Sequence, residues 1–71
     1  MPLYMSLLNE EKEILKINGK DNVKRHLGNL GLVVGNSVTV ISKLNGNIIL
    51  KVNDTKIALD KSLANRIIVK G

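Results

Sequence analysis

The stretch that most constrains this chain is Val23 to Val40, VKRHLGNLGLVVGNSVTV, because two different periodicities meet inside it. Val23, Leu27 and Leu30 are spaced i, i+4, i+7, which places them on one face of a short helix. Asp21 or Asn22 stands where an N-cap belongs, with a side-chain oxygen able to accept from an orphan N–H. Gly31 follows the last periodic residue, where a left-handed C′ residue ends a helix at no Cβ cost. Leu32 can then fold back onto the helix's apolar face. Gly35 and Asn36 make a second turn, and after Ser37 the period becomes two, with Val38 and Val40 sharing a face. The stretch reads as helix, glycine stop, apolar clip, glycine turn, strand.

The rest of the chain supplies partners for that strand. Pro2 to Leu8 is apolar and is expected to pack along an edge of the domain, with Tyr4, the one aromatic, outside the sheet. Glu11 to Ile17 reads as a first strand with Ile14 and the aliphatic stem of Lys12 inward, and Leu15 and Ile17 on the other side. Asn18 to Asp21 is a turn and helix entry, and the helix is expected over Asn22 to Leu30. Val38 to Leu44 is a second strand, closed by Asn45-Gly46, a type I′ hairpin signal. Asn47 to Val52 follows, with Ile48, Leu50 and Val52 on one face. Asn53-Asp54 makes another tight turn into Thr55 to Leu59. Asp60 can cap a single helical turn through Ala64, and Arg66 to Lys70 is the last strand, with Ile67 and Val69 on one face. Five short strands with tight turns predict a small, strongly bent barrel. Apolar residues out of phase with the inward set (Leu15, Ile41, Ile49, Ile68) support it, since a helix or terminal segment can cover part of a barrel's outside.

The block Leu30-Gly31-Leu32-Val33-Val34-Gly35 with Ser37-Val38-Thr39-Val40-Ile41, and the later Ile57 to Ala64 and Arg66 to Val69, resemble the FeoA family. These are small cytosolic accessory proteins of bacterial ferrous iron uptake, and the resemblance covers Glu13 to Lys70. It implies a single domain over residues 1–71, an SH3-like barrel of about five antiparallel strands with the helix after the first strand. It rests structurally on Leu27, Leu30, Gly31, Leu32 and Gly35. It also implies a partner, the cytoplasmic side of a FeoB-type transporter, and a cytoplasmic location; self-association is a further expectation.

Size and charge narrow the remaining functions. Seventy-one residues make one thin core, since a fold this small buries only about 60% of its unfolded surface. No cysteine is present, so neither a disulfide nor a thiolate metal site is available. No apolar run approaches the roughly 20 residues that span a bilayer, and the first residues lack the pattern of a signal peptide. The net charge is +5, with three acids against one base in residues 1–15 and ten bases against three acids beyond. Small basic barrels bind nucleic acid, which makes that the alternative function. Against it, the bases are scattered and there is no Phe or Trp on which bases could stack. The same lack removes the aromatic groove that proline-rich peptides need.

No catalytic or cofactor pattern stands out. His26 is the only histidine, and its i−4 and i+4 neighbours are Asn22 and Leu30, so no local metal-ligand set forms. Ser6, Ser37, Ser42 and Ser62 have no adjacent base, and the glycines match no phosphate-binding loop. Contact with another protein is left as the expected mode of action. The contact surface expected from the sequence joins the polar helix side, Lys24, Arg25 and His26, to a hairpin carrying Lys43, Asn45 and Asn47.

Overall fold

The computed structural model describes residues 1–71. Five strands run in chain order: β1 (Glu11–Ile17), β2 (Ser37–Leu44), β3 (Asn47–Val52), β4 (Thr55–Asp60) and β5 (Ile67–Val69). They form one antiparallel sheet in the order β4-β3-β2-β1-β5. Helix α1 (Asp21–Asn29) lies between β1 and β2, and a single helical turn, α2 (Lys61–Ala64), lies between β4 and β5. The expected SH3-like barrel of five strands with a helix after the first strand is therefore present. Its hydrogen-bonded ladder is not closed: β4 and β5 are edges.

Helix α1 ends as its sequence requires. Gly31 has φ +90, its N–H donates to the Gly28 carbonyl, and the Leu32 N–H reaches back to the Leu27 carbonyl at 3.0 Å. That pair of bonds is the Schellman motif, which satisfies carbonyls a helix end would leave orphaned. Its hydrophobic companion is present too: Leu27 and Leu32 are both fully buried. At the other end the N-cap is Lys20, not Asp21 or Asn22, and it makes no side-chain cap. Asn22 Oδ1 instead accepts from the adjacent Val23 N–H.

Two hairpins connect β2, β3 and β4. Asn45 and Gly46 have φ of 49 and 85, and Asn53 and Asp54 have 51 and 63. Positive φ at both central positions is the type I′ geometry that matches strand twist. In β3 the alternation is strict: Ile48, Leu50 and Val52 are buried. Asp60 caps α2 as expected, its Oδ1 accepting from the Leu63 N–H at 2.8 Å.

Strand β1 departs from expectation. Ile14 pairs with Val69 but Lys16 pairs with Ile68, so one extra residue bulges out between them. A bulge reverses the facing of everything beyond it. Ile17, expected on the face away from Ile14, is consequently buried beside it, while Leu15 stays outside. A second bulge between Val40 and Ser42 helps the sheet curl.

The N-terminal segment is also more internal than a packed edge. A 3₁₀ turn over Leu3–Met5 inserts Leu3, fully buried, into the cluster of fourteen buried apolar residues. Met1 and Pro2 run beside β5, with the Met1 carbonyl accepting from the Val69 N–H at 2.7 Å, so this edge is covered. Tyr4 packs against the core, and the Nζ atoms of Lys43 and Lys61 each lie 5.3 Å from its ring centre. That distance suits a cation–π contact.

Candidate functional site

The bulge in β1 and the residues after the Schellman motif build an open apolar groove of about 350 Å³. Buried Ile17 and Leu32 contribute to its lining, with Leu15, Val33 and Val34 exposed by 48%, 41% and 62%. Each is a branched side chain left exposed beside the others. Val33 and Val34 project because the loop between α1 and β2 is tied down around them. Asn36 Nδ2 donates to the Gly31 carbonyl at 2.8 Å, and the Gly35 N–H donates to the Ile14 carbonyl at 2.9 Å. Lys16 and Lys24 complete the lining. Neither has a carboxylate within 4.0 Å, since the ion pairs of the chain are Lys12–Glu10 and Lys51–Asp54. An apolar surface bordered by unpaired ammonium groups suits a partner with an apolar side chain and nearby carboxylates.

A second cleft, of about 290 Å³, is entirely polar and is lined by Glu11, Ser37, Thr39, Lys51, Asn53 and Asp54. Its lining reflects cross-strand neighbours, Glu11 opposite Thr39 and Thr39 opposite Lys51, on the outer face of the sheet.

The residues expected from sequence to share one contact surface divide between two places. Lys24 lines the groove, and Arg25 and His26 are exposed on α1. Lys43, Asn45 and Asn47 belong to the β2–β3 hairpin. The end of α1 abuts the opposite turn, where a Cβ on Gly31 would stand 2.9 Å from Asn53 Nδ2. Strand β3 separates that turn from the Asn45–Asn47 hairpin, about 17 Å at the usual rise per strand residue. The helix and this hairpin are therefore not neighbours. Sequence reasoning missed Leu15, Lys16, Val33 and Val34 as a group. The signal available was Val33-Val34, two adjacent apolar residues with no strand or helix period to bury both.

No group of three or more His, Cys, Asp or Glu side chains converges in the fold, and His26 stands exposed without such company. No helix is long and apolar enough to cross a membrane.

Five antiparallel strands with one helix after the first define the class of small SH3-like barrels. The particular family follows from comparison: the FeoA domain model matches residues 1–71, and the chain belongs to that family, which is implicated in ferrous iron transport. A crystal structure described as an iron uptake regulatory protein, FeoA, superposes with a TM-score of 0.89 at 29% identity, over 97% of this chain and 92% of that one. FeoA of Stenotrophomonas maltophilia, solved with zinc and described as a procaryotic SH3 domain protein, gives 0.85 at 26% identity over 99% and 89%. A manganese-dependent transcriptional repressor gives 0.87 at 15% identity, over 97% of this chain and 40% of the repressor, which is likeness of fold alone. No curated protein sequence matches.

Proposed function

We propose that this chain is a non-enzymatic accessory protein of bacterial ferrous iron uptake that docks on the cytoplasmic side of a FeoB-type transporter by protein–protein contact. The observation that carries the contact is the groove: Leu15, Val33 and Val34 remain in water beside Lys16 and Lys24, which have no acidic partner of their own. Burying such a patch against a complementary surface supplies affinity, and the lysines supply orientation and faster encounter. Lys24 belongs to this contact, with Arg25 and His26 alongside it on α1, while Lys43, Asn45 and Asn47 stay outside it.

The test is capture of the transporter's cytoplasmic part from membranes by the intact chain, with a nucleic-acid shift assay beside it at physiological salt. Capture without a shift is expected. Val34→Asp, a change at an exposed loop position, should weaken capture by about ten-fold or more with the circular dichroism spectrum unchanged. A salt-sensitive shift without capture would replace this reading with nucleic-acid binding. Undiminished capture by the Val34→Asp chain would move the contact away from the groove.

A further inference from the structure

We propose that the outer edge of β4 pairs antiparallel with the same edge of a second copy of this chain, about a two-fold axis at Ala58. The two sheet edges differ. β5 is flanked by β1 on one side and by Met1 and Pro2 on the other, whereas β4 has only β3. In the β3–β4 hairpin, Val52 and Thr55 flank the two-residue turn and so form a hydrogen-bonded pair. Pairs alternate from there, which leaves Lys56–Lys51, Ala58–Ile49 and Asp60–Asn47 as non-hydrogen-bonded pairs. The N–H and C=O of Lys56 and Ala58, and the N–H of Asp60, therefore point away from the sheet. No hydrogen bond from a turn, loop or cap reaches them.

The side chains make this edge self-complementary. Lys56, Ala58 and Asp60 are exposed on the outer face, and Ile57 is half-buried on the inner one. Inside its own sheet Lys56 stands opposite Lys51, a like charge, and Lys51 already pairs with Asp54 at 3.8 Å. Asp60 has no basic partner within 4.0 Å and stands opposite Asn47. A two-fold axis at Ala58 sets Lys56 opposite the partner's Asp60, and Asp60 opposite the partner's Lys56. It also sets Ile57 opposite the partner's Leu59, covering apolar surface that the monomer leaves half in water. An axis at Lys56 would oppose two ammonium groups, and one at Ile57 would oppose Asp60 to the partner's Asp54. Like charges directly opposite are unfavourable, so charge selects the Ala58 register. One strand pair buries less than a standard interface, so the association is weak and visible at high concentration.

The experiment is a dilution series of the whole chain from millimolar to micromolar, followed by amide chemical shifts and sedimentation. Concentration-dependent shifts centred on residues 55–60 are expected, together with a monomer–dimer equilibrium. Lys56→Glu alone and Asp60→Lys alone should each weaken association by about ten-fold. Mixing the two variant chains should restore it, because both opposed pairs then regain opposite charges. Asp60→Lys also removes the α2 cap, so Ala58→Pro provides a second route. It deletes an outward N–H and no bond of the β3–β4 ladder, and should abolish association in a folded chain. A chain that stays monomeric at millimolar concentration, or shifts confined to the groove, would overturn the proposal. So would mixed variants that fail to pair, or Ala58→Pro leaving association intact. A monomer whose β4 amides shift only on adding the transporter's cytoplasmic part would overturn it in favour of a partner strand.

Discussion

Strands β3 and β1 lie on either side of β2 and obey different rules. β3 buries Ile48, Leu50 and Val52 at strict intervals of two between type I′ turns. β1 buries Ile14 and Ile17, three apart, because one residue between them is not matched on β5. The regular strand spends every inward position on the core, and its one outward apolar residue, Ile49, is still half-buried. The bulged strand reaches the same core and also turns Leu15 outward, where it meets Val33 and Val34. An irregularity thus produces the candidate contact surface, in line with the enrichment of bulges beside functional sites.

The largest expected effects test that contrast directly. Ile48→Ala and Ile17→Ala both remove core side chains and should cost about 2–5 kcal/mol each. Leu15→Ala, next to the bulge, should cost less than about 1 kcal/mol, because its side chain stays in water. Denaturant midpoints of the three variants decide the matter. If Leu15→Ala cost as much as Ile17→Ala, the bulge would lie elsewhere in β1 and the groove would lose a wall.

The same contrast explains what could be read from the sequence. The glycine stop at Gly31, the type I′ turn at Asn45-Gly46, the tight turn at Asn53-Asp54, the alternation of β3 and the Asp60 cap are each specified by a few adjacent residues. They follow from local rules of φ, period and hydrogen bonding, and all are present. The β1 bulge depends on pairing with β5, more than fifty residues away, and nothing in EKEILKI announces it. Burial of Leu3 likewise depends on the segment running back beside β5 and α2. The groove was illegible for the same reason, since it joins a bulge to a loop that the chain separates. The expected helix–hairpin surface names two exposed elements, and their placement depends on β3, which sets the Asn45–Asn47 hairpin at the far end from the turn that α1 abuts.

Turn glycines sharpen the comparison at a smaller scale. Gly31 and Gly46 both have positive φ, and only Gly31 has neighbours where a Cβ would go. Asn53 Nδ2, at 2.9 Å, is a side-chain end that can yield, so backbone strain is the main cost. Gly31→Val places a β-branched residue in the left-handed region and disturbs the bond that seats Leu32. It should cost about 2 kcal/mol or more. Gly46→Ala, with open space around it, should cost about 1 kcal/mol. Thermal or urea unfolding separates the two, and equal losses would mean that Leu32 packs independently of its helix stop.

The smallest expected effect compares the starts of the two helices. α2 begins with a carboxylate cap, Asp60 Oδ1 to the Leu63 N–H, while α1 begins at Lys20 with no side-chain cap. An uncapped helix N-terminus leaves donors to water, and here the positive end of the dipole has the Lys20 ammonium beside it as well as the favourable Asp21 carboxylate of the first turn. Asp60→Ala should therefore cost about 1 kcal/mol, whereas Lys20→Ser should gain about 0.5–1 kcal/mol. Both are best measured at micromolar concentration, where any pairing through β4 contributes nothing. A gain at Lys20 would show that the α1 end is less fully optimised than the β3–β4 end. A loss there would show that the Lys20 side chain already holds α1 in place by packing, and that the two ends are equally committed.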